Sequence, residues 1–153
     1  DRLRAAAPAG DNTPFLSVAF PYATGTETFA RPGNSYNYFG LYWGSIDEYN
    51  SLKFYNGDTL LKTVTGLDVI QSGVTLGDQI SSGANRYVNF TFHDMLFDRV
   101  VFDTTNFAFE SDNHAFANIP VPEPGSLALM GAALAGFAGF AYQRRRKNAE
   151  NRM

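Results

Sequence analysis

Apolar and polar side chains alternate along most of the chain between Phe15 and Ile119. In the segment YVNFTF, Val88, Phe90 and Phe92 fall on one side of an extended chain, and their neighbours fall on the other. A period of two indicates strands with one buried face. The pattern therefore predicts a β-rich body over residues 15–119, with little helix.

Turn signals divide this body into short strands. Groups such as Pro32-Gly33-Asn34 and Ser72-Gly73 recur roughly every 8–12 residues, a spacing typical of sandwich folds. The high aromatic content, 15% of the chain, also suits pleated and half-buried surfaces. The predicted fold class is all-β: a β-sandwich or jelly-roll-like body followed by a single C-terminal hydrophobic helix.

The segment SLKFYNGDTLLKTV predicts a hairpin within the body. Asn56-Gly57 tolerate the positive φ angles of a type I′ turn, whose twist matches that of paired strands. A turn at these two residues places Leu52 opposite Leu61, so that one face of the hairpin is apolar.

The most aromatic stretch is NYFGLYWGSIDEYN, residues 37–50. It is interpreted as a buried central strand in which Phe39, Leu41 and Trp43 pack inward. The alternative is an exposed surface that stacks on sugar rings, because Trp and Tyr suit interfaces that are both apolar and wet. The residues predicted for such a ligand contact are Tyr42, Trp43 and Tyr49.

Charge and cysteine usage exclude several functions. The absence of cysteine rules out thiolate chemistry and disulfides. Residues 1–120 hold 13 acidic and 7 basic side chains, a balance of −6, whereas residues 121–153 hold 2 acidic and 5 basic ones, a balance of +3. An acidic body argues against nucleic-acid binding, and basic charges beside an apolar run favour anionic lipid.

The body carries no recognisable catalytic motif. His93 and Asp94 are neighbours, but no serine lies in a nucleophile-elbow sequence, so a polar loop after a strand is the preferred interpretation. Further carboxylates could bind calcium or act as a pair in glycoside hydrolysis, but a solvated strand-end face is favoured over both. We therefore expect no enzyme activity, no catalytic residues, no metal and no cofactor. The carboxylates in question are Asp94, Asp98, Asp103, Glu110 and Asp112.

The tail, residues 120–153, has a different pattern. Pro122, Glu123 and Pro124 lie in a Pro-rich segment over 120–126, and an uncharged run from Leu127 to Tyr142 follows. Sixteen helical residues span about 24 Å against a hydrocarbon core of ~30 Å, so a marginal transmembrane helix is predicted over 127–143. The large side chains of this helix are Leu127, Leu129, Leu134, Phe137, Phe140 and Tyr142.

A basic cluster follows the helix. Positive residues stay on the cytoplasmic side of a membrane, so the tail 144–153 is expected inside and the body outside. A row of small residues, Gly131, Ala135 and Gly139, would let a second helix approach closely. The topology-setting cluster is Arg144, Arg145, Arg146 and Lys147.

Pro-Glu-Pro, a short uncharged helix and an arginine cluster, in this order, resemble the PEP-CTERM sorting signal of bacterial exosortase substrates. The resemblance covers residues 121–147. It implies export, transient retention in the inner membrane with lipid as a partner, and processing by an exosortase. Delivery to the cell surface or to an extracellular matrix of exopolysaccharide, in a Gram-negative-type bacterium, would follow. The body also resembles β-rich modules that recur upstream of such tails.

The expected function is therefore a sorted surface or matrix protein without catalysis. The alternatives are a secreted carbohydrate-binding module of the same surface and, third, a secreted hydrolase. Residues 1–14 are expected to be a linker. The resemblance implies an N-terminal signal peptide, and the opening sequence DRLRAAAPAG has no apolar core of one, so a signal peptide is expected to precede it in the whole protein.

Overall fold

The computed structural model describes residues 5–19, 22, 24–31, 33–120, 129–137, 139 and 144. The chain divides into two compact units, Asp1–Ile119 and Pro120–Met153. The first unit holds every strand of the described chain, and the second holds a helix over residues 129–137. Each unit is considered by itself below.

The first unit is an eight-stranded sandwich of two antiparallel sheets, with strand orders β1-β8-β3-β6 and β2-β7-β4-β5. The pairs β4–β5, β3–β6, β2–β7 and β1–β8 are nested, as in one long hairpin rolled onto itself, which is the topology of a jelly roll. The all-β prediction is confirmed. The strands are β1 Leu16–Val18, β2 Gly25–Ala30, β3 Tyr38–Gly44, β4 Asn50–Asn56, β5 Thr59–Thr65, β6 Arg86–Thr91, β7 Arg99–Thr104 and β8 Phe109–Ala117.

The core lies between the two sheets and is largely aromatic. Phe39 of β3 meets Phe54 and Phe102 of the opposite sheet at ring-centroid distances of 6.0 and 6.1 Å. Edge-on contacts of this kind add to the free energy gained from burying apolar area. As predicted from the period of two, Phe39, Leu41 and Trp43 are fully buried, and Val88, Phe90 and Phe92 pack against the core.

The β4–β5 hairpin forms, but its register differs from the prediction. The turn occupies Gly57-Asp58, with Gly57 at a φ of +54°, and Asn56 pairs with Thr59. The register then shifts at Phe54 and Tyr55, so that Leu52 lies opposite Val64. A bulge of this kind adds a residue to one strand, which alternation alone does not reveal.

Residues 5–14, expected to be a linker, instead pack against the sandwich. Ala6 is buried, and its N–H donates to the carboxylate of Glu110 over 3.1 Å. The N–H of Ala9 donates to Oδ1 of Asn85, also over 3.1 Å. These bonds satisfy backbone donors that would otherwise be left without partners at the surface of the sandwich.

Helix is scarce in the sandwich, as predicted. A single turn, α1, runs from Gly66 to Val69. The Asp68 carboxylate accepts hydrogen bonds from the N–H and the hydroxyl of Thr65, and these bonds lower the pKa of Asp68. This reciprocal cap holds a helix that is too short to be stable by its own backbone bonds.

Candidate functional site

The first candidate site is the tail, of which the structure describes the central part. Leu129, Leu134 and Phe137 lie on the helix of residues 129–137, and Arg144 is also helical. The remaining residues predicted for the sorting motif, the membrane helix and the basic cluster lie outside the described residues. They are Pro122, Glu123, Pro124, Leu127, Phe140, Tyr142, Arg145, Arg146 and Lys147.

The described tail helix exposes its apolar side chains. Leu129 is 73% exposed and Phe137 is 74% exposed, although the helix carries no charged residue between 129 and 137. An exposed run of large apolar side chains marks a surface that another phase or partner covers. Within the described parts of the chain, no helix reaches the length and apolar character that crossing a membrane requires.

The second candidate region is the aromatic segment of residues 37–50. Trp43 is fully buried and stacks on Phe109 at a centroid distance of 4.5 Å, so it offers no face to a sugar ring. Tyr42 is partly buried, and its hydroxyl donates to the carbonyl of Ala9 over 2.8 Å. Of the three predicted contact residues, Trp43 is therefore removed from any ligand surface by its position in the core.

Tyr49, the third predicted contact residue, lines a polar hollow of about 280 Å³. Its hydroxyl lies 2.6 Å from both Oδ2 of Asp47 and the carbonyl oxygen of Phe107. Burial, together with the hydrogen bond to Asp47, raises the pKa of Tyr49. This hydroxyl therefore stays protonated at neutral pH and serves as a fixed donor.

Glu110 lines the same hollow and is the most strongly perturbed carboxyl of the sandwich. Burial, opposed by the hydrogen bond from Ala6 and augmented by the nearby charge of Asp47, raises the pKa of Glu110 to about 7. Burial also raises the pKa of Asp47. Two neighbouring carboxyls with raised pKa values are a recurrent feature of functional sites, and structural networks produce the same shifts.

The histidines fall in contrasting places. His93 and Asp94 are exposed in a bend after β6, as expected. His114 contacts the hydroxyl of Ser111 over 3.0 Å and lies among the rings of Phe29, Phe39 and Phe102. Ser111 is fully buried and His114 is partly buried against these rings, and the burial lowers the pKa of His114.

The carboxylates suggested for calcium or for hydrolysis do not converge in one place. Asp103 forms an ion pair with Lys53 over 2.7 Å, and Asp98 accepts a hydrogen bond from the N–H of Gly57. Asp112 accepts a hydrogen bond from the hydroxyl of Thr13. Among the described residues, no group of three or more histidine, aspartate or glutamate side chains is arranged to hold a metal ion.

A third region was missed by the sequence analysis. It is the outer face of the β1-β8-β3-β6 sheet, where Tyr38 and Tyr87 approach each other over Gly40. The inward positions of Phe39, Leu41 and Trp43 imply that the alternate residues of β3 point outward. That signal was present in the sequence, but the partner Tyr87 depends on the pairing of β3 with β6.

The chain thus combines a jelly-roll sandwich, a proline-rich sequence and a helix with exposed apolar side chains. Residues 120–146 match the family described as the PEP-CTERM protein-sorting motif. This motif indicates a protein that is exported and sorted by an exosortase. The comparison with curated proteins found no match for the chain.

Proposed function

We propose that the chain is a bacterial cell-surface or extracellular-matrix protein that the inner membrane holds only transiently. The match of residues 120–146 to the sorting motif carries this proposal. The exposed apolar side chains of residues 129–137 support it, because burial of apolar area stabilises a helix in lipid. A helix over 127–143 would place the Pro-Glu-Pro motif at the membrane boundary, within reach of a membrane enzyme.

The orientation follows from the basic cluster. Arg144 to Lys147 would remain cytoplasmic, and residues 1–119 would face the outside of the membrane. Anionic lipid would attract the same charges and hold the end of the helix at the inner surface. Cleavage near Pro122-Glu123-Pro124 would then release the sandwich to the cell surface.

We assign no catalytic role to the sandwich. The Ser111 hydroxyl, which contacts the partly buried His114, is itself fully buried and is not placed to attack a substrate. Asp47 and Glu110 have raised pKa values, but they hold Tyr49 and the N-terminal segment through hydrogen bonds. Asp47 and Glu110 therefore have structural roles in the fold.

The proposal is tested by replacing Pro122, Glu123 and Pro124 together with Ala or Ser in a host that contains an exosortase. If an enzyme reads this motif, processing stops and the protein accumulates as the heavier form that retains its tail. Export and membrane retention stay intact, because the helix and the basic cluster are unchanged. A matched control replaces Pro8 with Ala, which alters a proline far from the motif in sequence and leaves processing normal.

Normal processing of the triple variant would reduce the motif to a spacer. In that case any extended polar segment of equal length would serve, since a linker needs only reach and stiffness. Loss of export, instead of loss of processing, would assign the three residues a role before the sorting step. Either result contradicts the proposal.

A second candidate function is carbohydrate binding by the sandwich at the same surface. The outward-facing tyrosines around Gly40 favour it, because they form an aromatic surface on the outer face of the sheet. This function is compatible with sorting by the tail, since it requires only that the sandwich reach the cell surface.

A further inference from the structure

The outer face of the β1-β8-β3-β6 sheet carries an aromatic surface that none of the interactions above explains. Strand β3 buries Phe39 and Leu41, so its alternate residues Tyr38, Gly40 and Tyr42 point away from the core. The pairing with β6 places Asn89 opposite Gly40 and Tyr87 opposite Tyr42 on this face. Tyr87 is 39% exposed, more than is usual for an aromatic residue that only supports a core.

Gly40 determines how the tyrosines pack. A Cβ atom at this position would lie 2.5 Å from the hydroxyl of Tyr38 and 2.5 Å from the hydroxyl of Tyr87. Both side chains therefore extend over the space that any other residue would fill. Position 40 therefore has to be glycine for the hydroxyl ends of Tyr38 and Tyr87 to come together above it.

Hydrogen bonds hold the two rings in place. The hydroxyl of Tyr38 donates to Oδ1 of Asn89 over 2.6 Å, and the hydroxyl of Tyr87 donates to the carbonyl of Asn113 over 3.2 Å. Burial and the hydrogen bond with Tyr38 raise the pKa of Tyr87 to about 12, so the hydroxyl of Tyr87 is neutral at physiological pH. Side chains fixed in this way lose little conformational entropy when a ligand binds.

The third strand leaves room beside the tyrosines. On β8, Ala117 lies opposite Tyr38 and Ala115 lies opposite Gly40. The methyl groups of Ala115 and Ala117 form a low surface beside Tyr38 and Tyr87, whose hydroxyl ends lie over Gly40. A shallow, amphipathic surface of this shape suits a flat, polar ring better than a deep pocket would.

The charges on this outer sheet face limit the class of ligand that it can bind. The paired outward positions of β3, β6 and β8 carry two carboxyl groups, Asp112 opposite Tyr42 and Glu110 opposite Gly44, and no basic side chain. Asp11 lies close by, in the hollow of about 250 Å³ lined by Tyr42 and Asn113. An anionic chain would be repelled by these carboxylates, whereas a neutral one would not.

We propose that Tyr38 and Tyr87, meeting over Gly40, form a binding platform for an uncharged polysaccharide. The pyranose rings stack on the tyrosines, and Asn89 and Asn113 provide amide groups for the sugar hydroxyls. The inference deepens the second candidate function above and rests on it. It replaces Trp43 and Tyr49, which the fold places elsewhere, as the contact residues.

The test uses the full chain, purified in non-ionic detergent and run on native gels that contain a soluble polysaccharide. The uncharged probes are galactomannan, xyloglucan and hydroxyethylcellulose, and polygalacturonate is the anionic comparison. At least one uncharged probe retards the wild-type chain, and Tyr87→Ala weakens that retardation about tenfold, as expected for the loss of one stacking partner. The matched control is Tyr22→Ala, which removes an exposed tyrosine from a loop.

Two further variants separate stacking from folding. Tyr87→Leu keeps an apolar side chain but removes the aromatic ring, so it weakens retardation as Tyr87→Ala does. Gly40→Ala keeps both rings but pushes their hydroxyls apart, and it also weakens retardation. Equal unfolding temperatures of wild type and Tyr87→Leu show that the loss is local.

Three results would overturn the platform. The first is that no uncharged probe retards the wild-type chain. The second is that the Tyr87 variants and wild type are retarded equally. The third is that polygalacturonate retards the chain more strongly than every neutral probe does. Exosortase-dependent processing of the same variants is measured in parallel. A failure of the sorting function affects wild type and all variants alike, whereas a failure of the platform leaves processing normal.

Discussion

The sandwich and the tail helix place their apolar side chains in opposite environments. In the sandwich, Phe39, Leu41 and Trp43 are 0% exposed, and other side chains of the same unit cover them. In the helix of residues 129–137, Leu129 and Phe137 are 73% and 74% exposed. The first unit therefore buries these apolar side chains in its own core. The described part of the second unit instead has an exposed apolar surface, which suits contact with lipid or with another helix.

The largest effect expected from this contrast is on stability. Trp43→Ala should lower the free energy of unfolding of the sandwich by about 3–5 kcal/mol, because it leaves a cavity beside Phe109. Phe137→Ala removes a similarly large ring from the tail helix and should leave that free energy unchanged. Denaturant unfolding followed by tyrosine fluorescence, which both variants retain, measures the two effects. Equal losses would show that the tail helix contributes to the core.

Glycine gives a second comparison between the regions. A Cβ at Gly66 would clash with the backbone carbonyl of Asp47, so Gly66→Ala should destabilise the sandwich by about 1–3 kcal/mol. A Cβ at Gly131 meets nothing within 4 Å, so Gly131→Ala should preserve the sandwich and favour helix in the tail. Thermal unfolding and circular dichroism measure the two changes. A stable Gly66→Ala variant would contradict the tight approach of α1 to residue 47.

Glu110 provides a smaller effect that depends on pH. Its pKa in the folded state, about 7, is raised above the ordinary 4.5, so its contribution to stability is full below pH 4.5 and is lost as the pH rises through 7. Glu110→Gln keeps an acceptor for the N–H of Ala6 but does not ionise. Relative to wild type, the variant should therefore gain on the order of ten degrees in unfolding temperature between about pH 5 and about pH 8.

The matched control for this experiment is Asp94→Asn, which removes one carboxylate from an exposed bend. His114 acts in the opposite direction, because its lowered pKa gives stability that is lost as the pH falls below about 6.5. Since both proteins contain His114, its effect cancels in the comparison. A difference between wild type and Glu110→Gln that is the same at both pH values would rule out a buried, titrating Glu110.

The sequence predicted the layers of the sandwich better than its details. Alternation in β6 and β3 identified the buried faces, since Val88, Phe90, Phe39 and Trp43 all point to the core. The bulge at Phe54 and Tyr55 escaped prediction, because hydrophobic pattern and turn residues do not record an inserted residue. The turn also lies at Gly57-Asp58 instead of Asn56-Gly57, and the two differences together displace the register of the hairpin.

The candidate sites also differ in how far they could be predicted from the sequence. The tail could be predicted from the sequence, because its motif consists of prolines, an uncharged run and basic residues that follow one another directly along the chain. The tyrosine platform could not, since Tyr38 and Tyr87 are far apart along the chain and meet only through the pairing of β3 with β6. The hydrogen bond from Ala6 to Glu110 likewise joins residues 104 positions apart. Long-range contacts of this kind follow from topology.

Membrane fractionation tests the central claim, the membrane association of the tail, most directly. The full chain is expressed behind a functional signal peptide in a host without exosortase, beside a variant that lacks residues 127–147. We expect the full chain in the inner-membrane fraction, resistant to alkaline extraction, and the shortened chain as soluble protein. Recovery of the full-length chain as soluble protein, with its tail intact, would contradict the account.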